Sequence, residues 1–143
     1  MTRRALSKVT WPGVWTNSCC GHPMPGESMI DAIRRRVLSE LGVEVEDLRS
    51  VLPNFAYQAR DASGIWENEI CPVFRATLAP AAQLQPDPTE VMDYSWADPD
   101  QVAVATAATP FAFSPWAVEQ IFQMTDRLDP VTAGTTQRSE LTR

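Results

Sequence analysis

Cysteine is scarce in this 143-residue chain and does not come in matched pairs. There are three, and Cys19 and Cys20 are adjacent. An odd count with a vicinal pair excludes a disulfide-stapled framework and points to a reducing, cytoplasmic setting. No apolar run approaches the length of a membrane-spanning helix. No apolar stretch of the signal-peptide kind follows Met1. Positive charge is in the minority, with 12 Lys and Arg against 18 Asp and Glu and a net charge of −6. That balance argues against nucleic acid or an anionic membrane as partner. Internal repeats are absent as well. Hydrophobic content of 44% and charged content of 21% then describe one globular domain with a real core. It is expected to be monomeric, spanning residues 1–124 and followed by a mobile tail at 125–143.

The positive charge that is present is local: Arg3, Arg4 and Lys8, then Arg34, Arg35 and Arg36. A local basic cluster in an acidic protein suits a small anionic ligand, although a solvated helix face reads the same way. The second group belongs to the stretch Trp15–Gly42. Its first part, Cys20-Gly21-His22-Pro23, is a loop punctuated by Gly21, Pro23, Pro25 and Gly26. Ser28 has the position of an N-cap, with Asp31 at the capping-box offset. Ile30, Ile33, Val37 and Leu41 recur as one face of a helix that Gly42 stops. Arg36 and Glu40 lie one turn apart on another stripe.

Further on, Val43–Leu48 reads as a connection, and Ser50–Arg60 as a strand with Tyr57 projecting from it. Asp61–Gly64 is a hairpin turn and Ile65–Thr77 the partner strand. On that strand Glu67, Glu69 and Cys71 share one face, so both carboxylates can reach one metal ion. Leu78–Thr89 is a Pro- and Ala-rich surface loop, Glu90–Trp96 a strand and Pro99–Ala108 a short helix. An aromatic loop, Thr109–Trp116, leads into a last helix that ends near Met124.

The spacing around the first helix is informative. Five residues separate Gly21 from Glu27 and seven separate Glu27 from Arg35, with Val37, Glu40, Gly42 and Val43 in step. This resembles the Nudix box, a loop–helix–loop that holds divalent metal and diphosphate, in degenerate form. Arg35-Arg36 and Ser39-Glu40 stand where the box has Arg-Glu and Glu-Glu. Together with WPGVWTNSCCGHP, GIWENEICPVF and TPFAFSPW, the chain resembles the type I isopentenyl-diphosphate isomerases from about Thr2 to Gln123. The resemblance implies an α/β (α+β) fold of Nudix type, a mixed sheet flanked by helices. It also implies a β-rich N-terminal portion that this chain lacks, so that the chain starts at an internal methionine of a longer product or is a truncated relative. The first is favoured, because the remaining family positions are intact.

The same resemblance implies the chemistry: interconversion of a homoallylic and an allylic diphosphate by adding a proton at one carbon and removing another two carbons away. Cys20 is implied as the catalytic thiol, with a nearby cationic cluster expected to favour its thiolate. Cys19 is expected to point into packing. Glu69 is the opposing acid/base, assisted by Tyr57, and Trp116 lies against the developing cation. Arg4, Lys8 and Arg36 neutralise the phosphates. Glu40 helps hold Mg2+ on the substrate diphosphate. A second divalent ion (Mn2+, Mg2+ or Zn2+) is implied on His22, Glu67 and Glu69. Two further histidines of that site belong to the missing portion, and His22 is the one histidine here. The chain alone is therefore expected to have little activity. Two other readings stay open. A Nudix diphosphate hydrolase is disfavoured by the single box glutamate, since hydrolysis needs metal-activated water. The other is an inactive diphosphate-binding domain.

Overall fold

The computed structural model describes residues 1–126, so nearly all of the expected tail at 125–143 lies outside the described residues. In chain order the elements are β1 (Thr2–Arg4), β2 (Trp15–Thr16), α1 (Met29–Leu41), β3 (Glu46–Leu52), β4 (Ala56–Arg60), β5 (Trp66–Ile70), β6 (Val73–Thr77), β7 (Val91–Tyr94), α2 (Pro99–Ala108), a 3-10 turn (Pro110–Ala112) and α3 (Pro115–Asp126). The mixed α/β expectation holds. The named strands pair antiparallel, in the groups β2-β1-β7, β3-β6 and β4-β5. One isolated parallel bridge joins Trp15 to Phe113. None of the helices among the described residues is long and apolar enough to cross a membrane.

Helix α1 forms where its caps allow. Ser28 is extended (φ −70°, ψ 152°), and its Oγ accepts from the Asp31 N–H at 3.2 Å and donates to the Asp31 carboxylate at 2.7 Å. Gly42 ends the helix at φ 67°, a left-handed conformation that favours glycine. Val37 and Leu41 are buried with Val43 and Val91. Ile33 packs against that cluster from its edge, whereas Ile30 remains exposed, so the apolar face engages the core only after the first turn. The loop after β6 is more than a surface connection. Its Gln85 and Asp87 N–H groups donate to the Leu41 and Glu40 carbonyls at 2.8 and 2.9 Å, satisfying acceptors that the helix end leaves open.

Each long strand expected over Ser50–Arg60 and Ile65–Thr77 is in fact two. Proline donates no ladder hydrogen bond, and Pro53 and Pro72 fall at the two breaks. The halves stay joined because the Cys71 N–H donates to the Phe55 carbonyl at 2.8 Å. Strand β3 also begins earlier than expected, within Val43–Leu48. Its pairing with β6 shifts register between Glu46 and Arg49, where Asp47 sits at φ 48°. That irregularity breaks the period-2 pattern by which a strand is read. A second core, Leu52, Phe55, Tyr57, Trp116 and Ala117, lies where α3 meets β3 and β4.

Gly42→Ala tests the α1 stop. A Cβ there would lie 2.8 Å from both the Cβ and the carbonyl oxygen of Gln85, in addition to the left-handed strain. We expect a loss of about 1–3 kcal/mol, read as a lower urea midpoint at unchanged slope.

Candidate active site

The loop between β2 and α1 is built by its own charges. Arg35 binds Glu27 through two bonds, Nε to Oε1 at 2.7 Å and Nη2 to Oε2 at 2.8 Å, and Nη2 also donates to the His22 carbonyl at 3.0 Å. Glu27 in turn accepts from the Met24 N–H at 2.8 Å. The Arg35 guanidinium, foremost, holds the Glu27 carboxyl down at about 2. The interval that links Glu27 to Arg35 in the sequence thus folds the loop back onto α1. Gly21 completes the approach. A Cβ on it would come within 2.5 Å of Arg36 Nε, so the Arg36 stem crosses the loop where glycine leaves room.

The adjacent cysteines diverge. Cys19 packs against the Val37–Leu41 core and Cys20 against the Tyr57–Trp116 core, although both border the same recess. The Cys20 thiol donates to Asn17 Oδ1 at 3.1 Å, and the Trp116 indole N–H donates to the same oxygen at 3.1 Å. Trp116 is only 3% exposed. Trp11 meets it edge-on at a centroid distance of 5.2 Å, Tyr57 lies tilted at 5.4 Å, and the Arg4 guanidinium sits 5.3 Å from its ring centroid.

The carboxylates of β5 face inward, as alternation predicts, while Trp66, Asn68 and Ile70 are exposed. Tyr57 is not on the partner that was expected. Glu69 stands opposite it in the ladder, yet the phenol donates to Glu67 Oε2 at 2.7 Å, and Thr10 takes Glu67 Oε1 at 2.5 Å. Burial first, then Glu67, pushes the Tyr57 phenol well above its usual range. Glu69 pairs with His22, Nε2 to Oε1 at 3.1 Å, and the imidazole is otherwise open to solvent.

The basic residues close one side. Arg36 pairs with Glu40, one turn on, and lies 3.7 Å from Glu90, which also pairs with Lys8. Arg4 is pinned by the Thr10 carbonyl at 2.8 Å. Arg4, Lys8, Glu40 and Glu90 line a recess of about 30 Å3 together with Asn17, Cys19 and Cys20. Burial is the main reason that the Glu40 carboxyl is raised, and Arg36 opposes it. Arg36 Nε is buried without a hydrogen-bond partner, alone in this among side-chain nitrogens and oxygens of the described residues. A buried unpaired donor costs about 1–3 kcal/mol, which an anionic oxygen can offset.

For metal, the donor sets differ. Glu40, buried and paired with Arg36, suits an ion that arrives with an anionic ligand. His22 and Glu69 already face each other and can share an ion, but both Glu67 oxygens accept hydrogen bonds from Tyr57 and Thr10. Among the described residues no group of three or more His, Cys, Asp or Glu stands close enough to hold a metal. Asn17, Thr10 and Glu90 belong to this region too. The sequence does not reveal their roles, because the contacts that define them reach Trp116, Glu67 and Lys8, 99, 57 and 82 positions away.

The thiol's environment reverses one expectation. Burial pushes Cys20 up to about 12, with Cys71 adding to it, while the Asn17 hydrogen bond and Arg4 oppose the rise without cancelling it. Below that value the thiol is neutral, so the cations do not favour a thiolate in the metal-free chain. Cys19 is raised further, by burial and by Glu40. Iodoacetamide should therefore label both slowly at neutral pH in the folded chain, with the Cys20 rate still climbing above pH 10. A plateau near the ordinary thiol range, followed by peptide mapping, would contradict this.

Residues 1–117 match the family model described as the NUDIX domain. The chain is 56% identical over 121 residues to a Clavibacter michiganensis protein named isopentenyl-diphosphate Delta-isomerase, covering 85% of this chain and 61% of that protein. It is 55% identical over 124 residues to the protein of that name from Corynebacterium glutamicum strain R, covering 85% of this chain and 66% of that one. With the Escherichia coli K12 protein of that name, identity is 58% over 120 residues, covering 84% and 65%. The chain thus spans about three fifths to two thirds of the length of these relatives. With the box spacing folded as a Glu27–Arg35 clasp and the family match running over most of the chain, this protein belongs to the Nudix family.

Proposed function

We propose that this chain carries the catalytic residues of an isopentenyl-diphosphate isomerase. One observation supports this reading most: the Cys20 thiol and two cations, Arg4 and Lys8, line a single recess, with Arg4 reaching from the recess to the Trp116 ring. The proposed substrate is the small homoallylic diphosphate or its allylic isomer. Its diphosphate lies against Lys8, Arg4 and Arg36, and an oxygen satisfies Arg36 Nε. Its short carbon chain points toward Cys20, Tyr57 and Trp116.

The charges fit an ion-bound diphosphate. Three cations face two carboxylates, which leaves little net positive charge to neutralise a bare diphosphate. Mg2+ bound with the substrate near Glu40 would lower that charge by Lewis-acid coordination of the phosphate oxygens. His22 and Glu69, with Glu67 if it turned from Tyr57, are the proposed holders of a second divalent ion, Mn2+, Mg2+ or Zn2+.

The double bond moves by protonation at one terminus of the allylic unit and loss of a proton two carbons away. Cys20, neutral by virtue of burial, has a proton to exchange on one side. Glu69 takes the opposite role on the other, and the Tyr57 phenol keeps Glu67 oriented beside it. The intermediate has positive character on a tertiary carbon, and Trp116 presents a desolvated aromatic surface to it. A hydrolase reading is less favoured, because Glu40 is the one glutamate left at the box's metal-binding pairs and it is already paired with Arg36.

The reading is tested by incubating the diphosphate with Mg2+ in D2O, using the chain alone and joined to the N-terminal segment of a longer relative. Deuterium should enter the allylic product, faster with the joined form. Failure of both forms to incorporate it overturns the proposal. Trp116 then gives the finer test. An aromatic face is worth about 2 kcal/mol to a desolvated cation, a rate factor of roughly thirty. Trp116→Phe should keep most turnover and Trp116→Leu should lose considerably more at similar KM. Equal turnover by two variants of matched melting temperature would make Trp116 a packing residue only.

A further inference from the structure

Asn17 lies within the WPGVWTNSCCGHP stretch but has no role implied by the resemblance, yet its side-chain oxygen is the most heavily used acceptor in the site. It receives the Cys20 thiol at 3.1 Å, the Trp116 indole N–H at 3.1 Å and the Thr16 hydroxyl at 2.9 Å. The indole nitrogen is a donor only, so the atom facing it has to be the oxygen and not the amide nitrogen. Nδ2 makes only a long contact, 3.4 Å, to the Cys19 carbonyl.

The oxygen is itself held in place. Thr2 donates its hydroxyl to the Asn17 carbonyl at 2.7 Å. Thr16 and Ser114 share a hydroxyl contact of 2.7 Å in the interior, and Ser114 Oγ also receives the Ala117 N–H at 3.4 Å. The thiol and the indole are separated by 96 positions in the sequence and come from different elements. They are registered to each other by this one atom.

We propose that Asn17 is a positioning residue that locks Cys20 and Trp116 into a fixed mutual geometry through its shared Oδ1. The role assigned to that geometry rests on the isomerase reading. With its S–H directed at Asn17, the sulfur is confined to one rotamer. With its N–H directed there too, the indole cannot rotate away from the same point. Proton exchange at one carbon and cation stabilisation at its neighbour both require that registry, and a loss of about 1 Å in it slows such reactions by orders of magnitude.

The test compares Asn17→Leu, similar in size but without an acceptor, with Asn17→Asp, which restores the oxygen. Trp116 Nε1–H is followed by NMR and assigned with Trp116→Phe. The Cys20 S–H stretch is followed by Raman difference against Cys20→Ala. In Asn17→Leu both signals should move toward weaker hydrogen bonding, at a melting temperature within a few degrees of the parent. In the form that turns over, kcat should fall at least about tenfold while KM stays within about threefold. Asn17→Asp should recover both signals and most of kcat. Unchanged signals in Asn17→Leu overturn the inference, and so do released bonds with unaltered kcat. If no form turns the diphosphate over, the isomerase reading falls, and the two spectroscopic signals alone decide whether Asn17 holds the pair.

Discussion

The attachment of α3 to β2 is the constraint on which the site depends. Ser114 is fully buried; its N–H donates to the Trp15 carbonyl at 2.8 Å and its hydroxyl meets Thr16. Each such bond contributes only about 1 kcal/mol net, but leaving either buried hydroxyl unpaired costs about 1–3 kcal/mol. The pair is therefore held more by the penalty for separation than by its own strength. Because Ser114 immediately precedes Pro115 and Trp116, fixing it fixes where the last helix starts. The aromatic cluster around Trp116 then closes over Cys20.

A second organising feature is charge confinement. Lys8, Arg36, Glu40 and Glu90 come from the first turn, α1 and the edge of β7, and they compensate one another at one end of the recess. These pairs are partly buried, so the cost of desolvation offsets much of their attraction and they add little to stability. Here they keep flexible cationic side chains ordered in an acidic protein that would otherwise repel an anion. Trp11, Tyr57 and Trp116 pack against one another outside the recess lining, and Arg4 reaches from that lining to the Trp116 ring.

Much of this was legible because it is local. The α1 caps, the Glu27–Arg35 interval and the inward face of β5 depend on neighbours a few positions apart, where geometry is set by helical or strand period. The divergence of Cys19 and Cys20 followed from their adjacency. What was not legible depends on distance or on distortion. Glu90 meets Lys8 across 82 positions, and Thr10 meets Glu67 across 57. Tyr57 was assigned to its directly opposed residue, whereas its long side chain reaches the diagonal one, a neighbour that ladders also permit. Positive residues near Cys20 are visible in a sequence, and the desolvation that opposes a thiolate is not. Alternation runs on through Pro53 and Pro72, where the ladders in fact break.

The Asp61–Gly64 turn has a consequence well beyond its own residues. The Asp61 carboxylate receives the Ser63 and Ile65 N–H groups and the Ser63 hydroxyl, fixing the loop length between β4 and β5. Side chains alternate across a strand, so slippage by a single residue would present Trp66, Asn68 and Ile70 to the interior and leave Glu67 and Glu69 in solvent. The turn therefore acts as an index mark for the chemistry. A change there of one inserted or deleted residue would exchange an acidic wall for an amide and two hydrophobes, without altering any residue that touches the site.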